Sequence, residues 1–84
     1  KKPRKGAKEE VKLTRAQKAF AEAAKAYEKI VKKNPKDDAA FFNLGRSYNK
    51  VNEDEKAAKA LREAVKLKPD ETEYQTELGA ILIK

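Results

Sequence analysis

Two prolines thirty-four residues apart, Pro35 and Pro69, constrain this chain more than any other feature, because the residues ahead of them repeat in step. Ala23 returns as Ala57, Val31 as Val65 and Lys32 as Lys66; beyond the prolines, Leu44-Gly45 returns as Leu78-Gly79. A fixed period of about 34 residues marks a stack of helical hairpins. A hairpin of this kind cannot bury its apolar face alone and needs neighbours. Such stacks present surfaces and rarely do chemistry.

Composition agrees with helices and narrows the chemistry. Eighty-four residues make one small domain. Charged residues are 42% and hydrophobic residues 39%, with only three glycines and three prolines, a mix that suits helices better than a disordered tract. Alanine, lysine and glutamate dominate, and all three are strong helix formers. There is no cysteine, no histidine and a single serine, Ser47. That excludes disulfides, serine or cysteine triads, histidine bases and zinc sites built on Cys or His. No glycine-rich phosphate loop and no calcium-loop pattern occurs, so neither metal nor cofactor is expected. Paired carboxylates such as Asp37/Asp38 read as helix capping and solvation.

The longest apolar run, Gly79 to Ile83, is far too short to span a bilayer. A start at Lys1 with no secretory signal reads as a segment excised from a longer chain. The compartment stays open, with the cytoplasm as the default expectation. Residues 1–18 hold eight Lys/Arg against Glu9 and Glu10, a charge of +6, whereas residues 19–84 contribute only +1 to the net +7. The basic excess therefore belongs to the N-terminal segment.

Residues 1–13 contain Pro3 and Gly6 and few apolar side chains, and are expected to be flexible, with some helix from Ala7. Residues 14–84 form the helical domain. Thr14 and Gln17 have capping-box spacing, followed by an apolar stripe of Phe20, Ala23, Ala24, Tyr27, Ile30 and Val31 at a 3.6-residue period. Pro35 stops that helix. The second helix starts near Asp37 or Asp38 and carries Phe41, Leu44, Gly45 and Tyr48. Asn52 with Glu55 is expected to cap the third helix, which carries Ala57, Ala58, Leu61, Ala64 and Val65. Asp70 with Glu73 is expected to cap the fourth, which carries Tyr74, Leu78, Ile81 and Leu82. Connections of three to five residues force antiparallel neighbours. The expected core is Phe20, Tyr27, Ile30, Phe41, Leu44, Tyr48, Ala57, Leu61, Val65, Leu78 and Leu82.

The run Phe41-x-x-Leu44-Gly45-x-x-Tyr48, followed by Ala57, Leu61, Ala64 and Pro69, resembles one complete tetratricopeptide repeat (TPR), with Phe41 in the tryptophan slot and Leu61 in the phenylalanine slot. Phe20, Ala23, Tyr27 and Pro35 resemble the second helix of a preceding repeat. Leu78, Gly79 and Leu82 resemble the first helix of a following one, although Gln75 replaces its aromatic residue. The resemblance covers residues 15–84 and implies an all-α fold of four helices, stacked as a short superhelix, without enzymatic activity. The alternative is a generic four-helix bundle.

In the family the first helices of the hairpins line a concave face that holds a peptide or a partner helix. By slot, that face implies a partner-binding set of Phe42, Asn43, Arg46, Asn49 and Lys50, then Glu73, Thr76 and Glu77. Asn43 falls where the family often binds ligand backbone. Arg46 and Lys50 could equally be satisfied by ion pairs to Glu73 and Glu77. The acidic pair sits where some members place bases to clamp a C-terminal carboxylate, so that kind of ligand is not expected. The apolar stripe Tyr74, Leu78, Ile81 and Leu82 lacks a covering helix, which predicts self-association, as a symmetric dimer in preference to an open chain. A rival reading makes Lys1, Lys2, Arg4 and Lys5 a contact for nucleic acid or an anionic membrane. A third reading is a structural or engineered repeat fragment without a ligand.

Overall fold

The computed structural model describes residues 13–83 and contains four helices with no strand among them. They are α1 (Arg15–Lys33), α2 (Asp38–Lys50), α3 (Asp54–Leu67) and α4 (Thr72–Leu82). The basic segment 1–13 and its contacts Lys1, Lys2, Arg4 and Lys5 lie outside the described residues, apart from Leu13.

The ends of α1 follow from local chemistry. The Gln17 amide donates to the Thr14 hydroxyl at 3.1 Å, and the Thr14 amide donates to the Gln17 side-chain oxygen at 3.1 Å. Two of the free amides at the helix start are thereby satisfied. Lys32 and Lys33 occupy the last turn, where the helix dipole favours cations. The Asn34 amide closes the helix on the Ile30 carbonyl at 2.8 Å, and Pro35 bars a further turn. At α2, the Asp37 carboxylate accepts from the Ala40 amide at 3.0 Å, as an acidic cap should.

Two expected caps are corrected. Asn52 does not cap α3: its φ of 64° places it in the left-handed region just past α2. The Glu53 amide returns to the Tyr48 carbonyl at 2.9 Å and the Asn52 amide to the Asn49 carbonyl at 3.1 Å, a Schellman closure of α2. Asparagine is among the few non-glycine residues that tolerate this conformation. Nor does Asp70 cap α4. The cap position is Glu71, which makes no side-chain capping bond, and the Gln75 side-chain amide instead bonds the Pro69 carbonyl.

Consecutive helices pack against each other, α1 on α2, α2 on α3 and α3 on α4, with a lighter touch of α4 on α2. The densest part is the α2–α3 hairpin. Ala57, Leu61 and Ala64 of α3 are fully buried. Gly45 of α2 lies against them so closely that a Cβ there would stand 2.6 Å from Leu61 Cγ and 3.1 Å from the Ala57 carbonyl oxygen. Phe42, Tyr74 and Ile81 join this cluster, with Phe41, Tyr48, Val65 and Leu78 packed on its edge. A smaller cluster of Ala24, Leu44 and Ala60 ties α1 to the hairpin, flanked by Tyr27 and Val31.

The expected core is corrected at both ends. Ile30 is exposed, and Leu82 is 55% exposed, because neither has a helix packed over it among the described residues. Conversely, Tyr74 and Ile81 were expected on a self-association stripe and are buried, because α4 turns them onto α2 and α3.

Candidate functional site

A groove with one apolar and one polar wall runs between α1 and α2. Phe20, Ala23 and Tyr27 of α1 form its apolar wall, and Asn43, Arg46, Ser47 and Lys50 of α2 form its polar wall, around a cavity of about 220 Å³. The spacing of Phe20, Ala23 and Tyr27 puts all three on one helix face. They are only half-buried, so the face is not used up in packing. Ser47 is buried at the floor. The Gln17 side-chain amide donates to the Lys50 carbonyl at 3.2 Å and pins the start of α1 to the end of α2. A larger hollow of about 460 Å³ lies at the Asn34-Pro35-Lys36-Asp37 turn, but its carboxylate is already engaged by the Ala40 amide.

Charge on the groove is one-sided. Arg46 and Lys50 are exposed and neither is ion-paired to a carboxylate among the described residues. The ion pairs to Glu73 and Glu77 that stood as the alternative reading of these two cations are not formed. The Arg46 guanidinium lies 5.5 Å from the centroid of the Phe42 ring, a cation–π distance that keeps the charge at the surface.

Of the eight residues implied as partner-binding, Asn43, Arg46 and Lys50 share this groove. Asn49 is half-buried on the same helix. Phe42 is corrected: it is buried, and its ring packs on Tyr74 with centroids 4.6 Å apart. It joins α2 to α4. Glu73 and Thr76 are exposed on α4 and Glu77 is half-buried there, away from the groove. The Thr76 hydroxyl donates to the Thr72 carbonyl of its own helix at 3.0 Å.

Phe20 and Tyr27 read from the sequence as core, whereas the structure leaves them half-buried on the groove wall. A signal was present: Ala23 and Tyr27 precede Ala57 and Leu61 by one period, and those two are covered by α2.

Two tyrosine hydroxyls fasten the scaffold behind the groove. Tyr48 donates to the Glu28 carboxylate, linking α2 to α1. Tyr74 donates to the Asp38 carboxylate at 2.6 Å, linking α4 to α2. The Asp38 hydrogen bond, then burial, then the nearby negative charges push the Tyr74 phenol up to about 12. Among the described residues no cluster of acids is placed to hold a metal, and no helix is long and apolar enough to cross a membrane.

Comparison with known proteins adds a family to this geometry. The model of the tetratricopeptide repeat family matches residues 14–81. No curated protein matches the chain.

Proposed function

The chain belongs to the tetratricopeptide repeat family, whose repeats generally mediate protein–protein interactions on a non-enzymatic scaffold, and on that premise we propose that it is an interaction module, without catalytic activity of its own, that receives an acidic amphipathic helix of a protein partner in the α1–α2 groove. The observation that carries this reading is the pairing of a half-buried apolar wall with a cationic rim that has no carboxylate partner among the described residues. Ala23 on the wall is small enough to let a helix backbone approach, as Ala57 does for α2. A helix laid there buries its apolar stripe on Phe20 and Tyr27 and turns its acids toward Arg46 and Lys50. Asn43 can donate and accept at the rim.

Selection of helical peptides from a displayed library on the immobilised protein tests this. Enriched peptides should combine apolar residues at i, i+3 and i+4 with Asp or Glu on one flank. Their affinity should fall in an Arg46→Glu, Lys50→Glu double variant and in Ala23→Arg. Enriched peptides that bind those variants as well as the parent would overturn the reading.

A further inference from the structure

Gly45 and Gly79 are separated by one period and occupy the same place on α2 and α4, yet their surroundings are opposite. A Cβ on Gly45 would collide with Leu61 and the Ala57 backbone, whereas a Cβ on Gly79 would meet nothing within 4 Å. The α4 face that bears Gly79 is thus shaped like the α2 face that seats on α3, but it seats on nothing among the described residues. Leu78 stays half-buried and Leu82 exposed beside it. At the other end of the molecule, Ala23 and Tyr27 stand one period before Ala57 and Leu61, the two residues that meet Gly45, and they line a groove that no helix among the described residues fills. One end therefore carries the knob side of a hairpin contact and the other carries its hole.

We propose that the occupant of the α1–α2 groove is α4 of a second copy of this chain, so that copies stack head to tail and each α4 forms a composite hairpin with the α1 of the next copy. This rests on the reading that the groove receives a helix, and it names that helix. Charge supports the choice. Between Thr72 and Leu82 the only charged residues are Glu73 and Glu77, so this helix carries a charge opposite to that of the groove rim at Arg46 and Lys50. Opposite charges on two complementary surfaces steer the encounter and set its orientation. The same signs disfavour α4 on α4, where four glutamates would meet. The symmetric dimer expected from the sequence gives way for that reason, and because Tyr74 and Ile81 are spent inside the molecule. Contacts between different surfaces at opposite ends do not close on themselves, so the assembly grows with concentration.

Sedimentation of the full 84-residue chain from low to high micromolar concentration is the test. The parent should pass from monomer to dimer and beyond. A Gly79→Leu variant should stay monomeric over the same range, since its side chain would meet Ala23 and Tyr27 of the next copy. Circular dichroism should show Gly79→Leu as helical as the parent and no easier to melt when dilute, because its own fold leaves that space open. Arg46→Glu with Lys50→Glu should weaken association by roughly tenfold or more, with low salt favouring assembly of the parent alone. A parent that is monomeric at high micromolar concentration would overturn the inference, as would a closed dimer or a Gly79→Leu variant that associates as strongly as the parent. A monomeric parent that still binds library-selected helices at Arg46 and Lys50 removes the second copy and leaves the groove reading standing. Selected helices that dissolve the parent's assemblies support both.

Discussion

The hydroxyl of Tyr74 on α4 reaches back thirty-six residues to the carboxylate of Asp38, in the first turn of α2, at 2.6 Å. It is the polar half of a joint whose apolar half is the Phe42 ring stacked on the same tyrosine. α4 packs mainly on α3 and touches α2 lightly, so this joint is its principal tie to α2.

The pH dependence of that joint is expected to follow the neutral phenol. The folded state holds the Tyr74 proton up to about pH 12, against an ordinary value near 10. The stabilisation is therefore complete below pH 10 and is lost as pH rises through about 12. Tyr74→Phe should destabilise the protein by about 1 kcal/mol at neutral pH. Urea unfolding at a series of pH values should show the parent losing its advantage over Tyr74→Phe across that alkaline window. A constant difference would disconnect the phenol proton from stability.

Opposite outcomes are expected when alanine replaces the two helical glycines. At Gly45 the new methyl group meets Leu61, which is completely buried and cannot swing aside. Gly45→Ala should cost about 1–3 kcal/mol in spite of alanine's better helix propensity. Gly79→Ala meets no neighbour and should stabilise the monomer by about 0.5–1 kcal/mol. Thermal melts of dilute protein check both, and equal shifts of one sign would refute the assignment of the two environments.

The turn between α2 and α3 makes a third case. Asn52 is the one non-glycine residue with positive φ among the described residues. Asn52→Gly should be neutral or slightly stabilising, and Asn52→Val should cost about 1–2 kcal/mol. Chemical denaturation of the pair reads the difference. A valine variant as stable as the glycine variant would mean that the turn has an alternative closure.

Much of this architecture was legible because its signals are local or periodic. Thr14, Asp37 and the two prolines act within a few residues, so propensity and capping chemistry place the start of α1, the start of α2 and the stops of α1 and α3 directly. The failures have a common origin in neighbours that spacing does not reveal. Phe41 and Phe42 are adjacent aromatics, and a single-stripe reading must choose one of them for the core. Since α2 meets α1, α3 and α4, its buried arc takes Phe42 fully and Phe41 in part. Tyr74 and Ile81 disappear inside for the same reason, seen from α4. Asn52 and Asp70 resemble caps by residue type, but the first is drawn into closing the helix before it and the second lies one place too early. In the groove, Asn43, Arg46 and Lys50 followed from slot positions on one helix. The opposing α1 wall needed the pairing of two helices to be seen.

Packing in strict chain order has a consequence in time. Every helix finds its principal neighbour next to it along the backbone, so the loops that must close before contacts form are short. Chains of such low contact order cross their folding barrier on the microsecond-to-millisecond scale. Opening is graded in the same way: α1 detaches at the expense of the small Ala24, Leu44 and Ala60 cluster, whereas α4 takes Tyr74 and Ile81 out of the cluster that holds Ala57, Leu61 and Ala64. Amide exchange should accordingly be slowest around Leu61 and fastest in the two outer helices, so the surfaces proposed for partners are those that open first.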